Sequence, residues 1–280
     1  MLTRVTKFVS AWLFALMFLA GFAVASVELE EVIESRDSLD RARDVHRNPK
    51  ETIRFFEIQP GMTVVETLPG GGWYTKILVP YIGENGRFFG ANYTNSLMER
   101  VMGKRWESRR EAIEKWLDTF PAWAESYAMK PPKIGAFHIS LAPKNLIGQV
   151  DRVLFIRSLH HLNRFDTKIL DAAATEAFSL LKPGGIVGVV QHRAPENSSD
   201  VWANGDNGYL KQTRVTEAFE SAGFHLVGSI KINANPMDQP TEDDRVWRLP
   251  PALSTEDRYK ESNKAIGESD RMTLKFRKPI

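Results

Sequence analysis

The stretch Val64-Val65-Glu66-Thr67-Leu68-Pro69-Gly70-Gly71-Gly72 decides how the rest of the chain reads. Pro60-Gly61 makes a turn, and Met62 to Leu68 that follows is a short, mostly apolar run of the kind that forms a buried strand. Three glycines then form a loop without side-chain bulk, and Trp73 to Ile82 reads as the helix behind it. A nucleotide or nucleoside site needs this arrangement of strand end, bare loop and helix N-terminus, because the ligand lies against backbone and faces free N–H groups. The spacing is not G-x-G-x-x-G, which favours a nucleoside edge over a diphosphate cradle. Glu66 stands where it can organise the loop or accept from a ligand amino group. Without a ligand, the same residues are a plain turn.

Working outward, Gly83 to Gly86 turns the chain into a second strand, Arg87–Ala91, and completes a βαβ unit with its parallel sheet and right-handed crossover. Upstream, Ser26 to Glu57 is charged and helix-prone, with Pro49 suited to a first helical turn. Asp44 and Arg47 in this segment either fold over the glycine loop or pair with each other at the surface. Downstream, Leu97 to Met129 is helical and rich in Trp (Trp106, Trp116, Trp123), ending at Pro131-Pro132. It reads as an outer helix with aromatic packing and a solvated charged face, with a lid as the alternative. Ala136–Leu141 is a weak third strand and Val150–Ile156 a fourth. A helix over Ile169–Leu181, the turn Lys182-Pro183-Gly184-Gly185 and a fifth strand, Ile186–Gln191, follow. A helix over Thr213–Ala222 stops at Gly223. Strands over His225–Lys231 and Met272–Phe276 flank a polar insertion. The alternation predicts an α/β fold with a doubly wound, mostly parallel, seven-stranded sheet and helices on both faces. It also predicts one domain over 26–280, comprising an N-terminal helical segment at 26–57, a helical insertion at 97–133 and the polar insertion at 233–269.

Two further segments sharpen the picture. Val150 to Ile156 runs into Arg157-Ser158-Leu159-His160-His161-Leu162, and Leu180-Leu181-Lys182-Pro183-Gly184-Gly185 comes after one more helix. With the glycine loop, this order closely resembles the class I S-adenosylmethionine-dependent methyltransferases over roughly Glu57 to Leu226. Pro69-Gly70-Gly71-Gly72-Trp73-Tyr74, Gln191-His192-Arg193-Ala194 and the C-terminal Asp270 to Pro279 are similar to an exported branch of that superfamily. The resemblance implies a Rossmann-like sheet, S-adenosylmethionine as cofactor and methyl transfer to an acceptor, a small molecule or another group that the sequence does not name. It implies that Glu66, Gly70, Gly71 and Gly72 border the methionine and ribose, and that Ser158 and Leu159 line the sulfonium side. Family members usually carry an acid at the end of the second strand to hold both ribose hydroxyls. This chain has Asn92, which lacks the charge and also donates. The acid that often follows the third strand is also missing, with Leu141-Ala142 in its place.

Outside that region the composition bounds the biology. Arg4 and Lys7 precede an apolar run from Phe8 to Ala23, and Ala23-Val24-Ala25 supplies a small-x-small cleavage site. A secretory signal over 1–25 is expected, and with it a periplasmic or extracellular, bacterial protein; an uncleaved membrane anchor is the alternative. Removing Arg4 and Lys7 takes the formal net charge of +2 to neutrality. A neutral chain has no electrostatic footprint for nucleic acid, and membrane contact is expected solely through an uncleaved signal. With no cysteine, an exported chain depends on packing rather than disulfides.

Among titratable candidates, His161 and His192 could touch the acceptor or take its proton near neutral pH, while His160 reads as a packed loop residue. No spacing among them is that of a zinc site, and no metal is expected. Three functional classes remain: a methyltransferase, an exported binding or scaffold protein on the same fold, and, less well matched for want of G-x-G-x-x-G and a ribose acid, an NAD-dependent oxidoreductase.

Overall fold

The computed structural model describes residues 28–280; the expected signal segment and its cleavage site lie outside the described residues. Four short helices open the described chain: α1 (Leu29–Glu34), α2 (Ser38–Arg41), α3 (Asp44–Arg47) and α4 (Pro49–Phe55). The α/β body follows as β1 (Thr63–Thr67), α5 (Thr75–Ile82), β2 (Arg87–Asn92), α6 (Asn95–Met102), α7 (Trp106–Glu114), α8 (Trp116–Glu125), β3 (Lys133–His138) and β4 (Val150–Ile156). It ends with α9 (Leu159–Asn163), α10 (Thr167–Leu180), β5 (Leu181–His192), α11 (Gln212–Ser221), β6 (His225–Ile230), α12 (Lys260–Ile266) and β7 (Arg271–Arg277).

The seven strands form one sheet in the order β3-β2-β1-β4-β5-β7-β6. The first five are parallel, and β7 runs antiparallel between β5 and β6. This is the doubly wound sheet that the alternation of elements predicts. Its two faces are built by strand periodicity. On one face Val65, Val153 and Phe155 pack under α10 and α11 with Ala174, Ala177 and Phe219. On the other, Val64, Leu154 and Ile156 meet Ile77 and Leu78 of α5, Phe56 and Phe120. Every residue of β1 is buried, as expected for a central parallel strand.

The third strand lies at Lys133–His138, earlier than the expected Ala136–Leu141. Pro131-Pro132 ends the helical stretch and the strand starts at once, while Ser140 takes a positive φ of 75° and Leu141 is left exposed beyond it. Lys182-Pro183-Gly184-Gly185 bulges out of β5, so that Val150 pairs with Leu181 and Arg152 with Ile186. The Trp-rich stretch is the outer helical layer. Phe120 stacks its ring against the backbone of Gly90, where a Cβ would come within 2.5 Å, and α7 is largely exposed.

Candidate active site at the carboxyl ends of the central strands

The sheet order reverses between β1 and β4, and a doubly wound fold leaves its ligand crevice outside the carboxyl ends of the strands at that point. A cavity of about 330 Å³ lies there. Leu68, Pro69, Gly70 and Gly71 line it from the loop after β1, Ile156 and Arg157 from the end of β4, and His160 and His161 from the first turn of α9. His192 comes from the end of β5, Trp73 from the turn between the glycine loop and α5, and Asp40, Arg43 and Arg47 from the N-terminal helical segment. Trp247, in the polar insertion, completes the wall. A larger cavity of about 670 Å³ opens beside Pro60-Gly61 and Gly83-Glu84, at the amino end of β1 and β2, where this architecture does not place ligands.

Both central strands leave the sheet through a left-handed residue. Leu68 has φ 48° and Arg157 φ 55°, and each is held by a 2.7 Å hydrogen bond from its N–H, Leu68 to the Ala91 carbonyl and Arg157 to that of Val190. Non-glycine residues in this region cost free energy and cluster where a site is being shaped. Gly70, with φ 58°, continues the turn, and a Cβ added at Gly71 would meet nothing within 4 Å. The backbone of Gly70-Gly71 therefore offers a bare edge to a ligand.

Gly72 has a different cause. Its φ is 74°, and a Cβ there would sit 2.3 Å from the Trp123 ring. It does not line the cavity; the glycine is required by the packing of α8, and the helix behind the loop begins at Thr75 rather than Trp73. Glu66, Asn92, Ser158 and Leu159 also stand behind the lining rather than at it. Glu66 is buried and its Oε2 accepts a 2.7 Å hydrogen bond from the Thr75 hydroxyl. Burial pushes its carboxyl up to about 8, against the opposing effects of Thr75 and Arg157, so it is protonated at neutral pH. Asn92 spends its side-chain oxygen on the Tyr93 N–H, at 2.8 Å. The Ser158 hydroxyl is shared with that of Thr67 at 2.8 Å, its carbonyl accepts from the Tyr93 hydroxyl, and Leu159 is core.

The three histidines come together at the cavity. The rings of His160 and His161 are 4.0 Å apart, those of His160 and His192 5.6 Å, and Trp247 stacks on His161 at 6.2 Å. His160 Nδ1 lies 3.3 Å from the Gln191 amide nitrogen, and His192 Nδ1 meets the Ser269 hydroxyl. Burial lowers the affinity of all three for protons, with help from neighbouring cations; His161 falls to about 3. They are neutral at pH 7 and weak bases. Among the described residues no group of three His, Cys, Asp or Glu side chains is placed to hold a metal ion.

The sequence left the role of Arg47 open and did not single out Arg43 or Arg157. Arg47 does not pair with Asp44, which binds Arg36 at 2.6 Å. It is 2% exposed, its Nε donates to the Glu268 carboxylate at 3.2 Å, and its guanidinium covers the Trp73 ring at 4.7 Å. Arg43 donates to the same carboxylate at 2.8 Å and Arg271 at 3.1 Å. Burial would raise the Glu268 carboxyl, but the charges of Arg47, Arg271 and Arg43 hold it at about 2. Arg157 could be found in the motif that carries the resemblance. Arg43 and Glu268 are brought in by the fold, and nothing local in the sequence marks them.

No family model matches the chain, and no curated protein matches it. Many solved structures do match in fold. A [4+2]-cyclase, SpnF, has TM-score 0.50 and 15% identity over 84% of this chain and 81% of its own. A Bacillus halodurans protein assigned as a methyltransferase has TM-score 0.50 and 16% identity over 84% and 100%. A Haloferax volcanii protein assigned likewise, in complex with a methyltransferase activator, has TM-score 0.50 and 17% identity over 90% and 98%. At these identities the likeness establishes the fold alone, and that fold is the seven-stranded Rossmann-like architecture of the class I methyltransferases.

Proposed function

We propose that this chain is an S-adenosylmethionine-dependent methyltransferase acting on a small acceptor in the cavity at the β1–β4 switch point. The observation that carries the reading is the bare Gly70-Gly71 edge, which opens into that cavity beside a partly unsatisfied guanidinium. The cavity volume is in the range of small-molecule sites. The cofactor supplies a methyl group on a positively charged sulfur. The chain's part is to place, orient and exclude water. The Leu68 to Gly71 backbone would edge the nucleoside, and Trp73, Ile156 and Trp247 would keep the reacting end dry. His161 is too weak a base to hold an acceptor proton at neutral pH, so its part is polar contact; its Nδ1 is buried without a partner among the described residues.

A second reading, an exported binding protein that keeps the fold without catalysis, is favoured by one observation. Glu66 and Asn92, which stand where the family places its cofactor contacts, are turned to Thr75 and Tyr93. Calorimetric titration with S-adenosylhomocysteine separates the two, with saturable one-to-one binding expected. An absence of heat across a millimolar range would favour the second reading. The Ala23-Val24-Ala25 site supports export to a periplasmic or extracellular location, with a mature terminus at Ser26. N-terminal sequencing of the protein from its native host tests this, and a retained Met1 would refute it.

A further inference from the structure

The charge around the cavity is not balanced by the chain itself. Four guanidinium groups, Arg43, Arg47, Arg157 and Arg271, gather at its wall or just behind it, and the carboxylate among them is Glu268. Other acids nearby are already taken: Asp40 by Lys76 at 2.6 Å, Asp44 by Arg36 at 2.6 Å, and Asp270 by Arg193 at 2.8 Å. Glu66 is protonated and the three histidines are neutral, so they add no negative charge. Arg47 is 2% exposed, yet both of its terminal nitrogens lack a hydrogen-bond partner among the described residues. The Arg157 side chain has no hydrogen bond to the described residues, and it faces the same space. Arg47, though paired through Nε with Glu268, keeps buried N–H groups without an acceptor, which is costly. The half-buried Arg157 turns an unbonded guanidinium to the cavity. The natural complement of the two is an oxyanion held by two or more N–H groups.

We propose that Arg47 and Arg157 form a binding site for an oxyanion of the carboxylate or phosphate class, carried by the methyl acceptor. The assignment to the acceptor rests on the methyltransferase reading. S-adenosylmethionine is a net cation, with a sulfonium, an ammonium and one carboxylate. Placed beside an excess of guanidinium charge, it adds to the imbalance. An anionic acceptor offsets it, so cofactor and acceptor stabilise each other in the ternary complex. The partly exposed Trp247 ring, stacked on His161 at the cavity wall, suits the apolar body of such a ligand.

Inorganic phosphate and acetate serve as probes, titrated calorimetrically into the mature protein at constant ionic strength against chloride, with and without saturating S-adenosylhomocysteine. Saturable binding of one anion to the wild type is expected, with Arg157→Gln weakening it tenfold or more while its circular dichroism is unchanged. Arg47→Lys, which keeps the charge near Glu268 but loses the planar fork, should weaken it as well. Anion affinity that is unchanged or improved by S-adenosylhomocysteine supports the acceptor site. Stoichiometric displacement would overturn it, because the anion would then occupy the place of the cofactor's own carboxylate. Linear, unsaturable response to both anions, or equal binding by Arg157→Gln, would overturn the oxyanion site itself. Should the anions bind but S-adenosylhomocysteine fail to, the oxyanion site stands, while the methyltransferase reading, and the acceptor assignment with it, fails.

Discussion

Arg47 and Glu268, 221 positions apart, meet at 3.2 Å in the interior, and their contact ties the N-terminal helices to the segment leading into β7. The pair is buried on both sides, with 2% and 5% of the side chains exposed. Arg43 and Arg271 share the carboxylate, so removing it leaves several guanidinium groups facing one another without compensation. Glu268→Gln should destabilise the fold by about 3–5 kcal/mol, as measured by chemical denaturation. Because the Glu268 carboxyl is held at about 2 in the folded state and titrates near 4.5 when unfolded, its contribution is complete above pH 4.5 and is lost as the pH falls toward 2. The wild type should therefore lose stability over that window, and the variant should lack that component. A variant as stable as wild type at pH 7 would show that the cluster does not need its acid.

Gly72 tests loop against packing. Its positive φ and the 2.3 Å approach to Trp123 mean that Gly72→Val strains the backbone and displaces an aromatic ring of α8. A loss of about 2 kcal/mol or more in folding stability is expected. Adding Trp123→Ala should recover part of that loss, since it removes the ring but not the φ strain. A Gly72→Val protein of wild-type stability that no longer bound S-adenosylhomocysteine would return Gly72 to the ligand.

The doubly wound, mostly parallel sheet and the glycine loop after its first strand were legible in the sequence because they rest on local signals: apolar runs of strand length, glycines at turns and alternation with helices. Val150–Ile156 was bounded by those signals to the residue. The cationic wall was not legible, because Arg43 and Glu268 are joined by the fold rather than by spacing. The sequence also could not distinguish a glycine that borders the cavity, Gly71, from one that admits a tryptophan, Gly72. Both look alike in one dimension, and the difference lies in what α8 brings against the loop. The polar insertion, too, reads as surface by composition, yet it delivers Trp247 to the cavity.

Glu66 gives a pH prediction of opposite sign to Glu268. Its folded carboxyl lies at about 8 and its unfolded one near 4.5, so the folded state holds a proton that the unfolded state gives up. Stability from this group is complete below pH 4.5 and falls as the pH rises toward 8, by about 1.4 kcal/mol for each pH unit crossed. Glu66→Gln keeps an oxygen for the Thr75 hydroxyl and carries no charge. Urea denaturation should find the variant more stable than wild type at pH 8, with the difference shrinking toward pH 4.5. Parallel stability curves for the two proteins would mean that Glu66 is ionised in the fold, held so by Arg157.

Asn92 decides how far the cofactor site follows the family's pattern. The resemblance puts an acid here, facing both ribose hydroxyls, and on that ground Asn92→Asp would add a charged acceptor worth ~1.5–3 kcal/mol, about tenfold or more in affinity. The structure gives the side chain another partner. Its oxygen accepts from the Tyr93 N–H at 2.8 Å, the residue is 5% exposed, and it is absent from the cavity lining. An aspartate in that geometry keeps the same hydrogen bond and buries a charge, which costs stability unless a further donor reaches it. The expected outcome is therefore an S-adenosylhomocysteine dissociation constant within about threefold of wild type, since a change below about 1 kcal/mol is all that an uncontacted site supports, together with a lowered melting temperature. Tenfold tighter binding would show instead that the β2 end turns from Tyr93 to the ribose when the ligand arrives. In that case the missing acid, not the closed geometry, is what weakens the site.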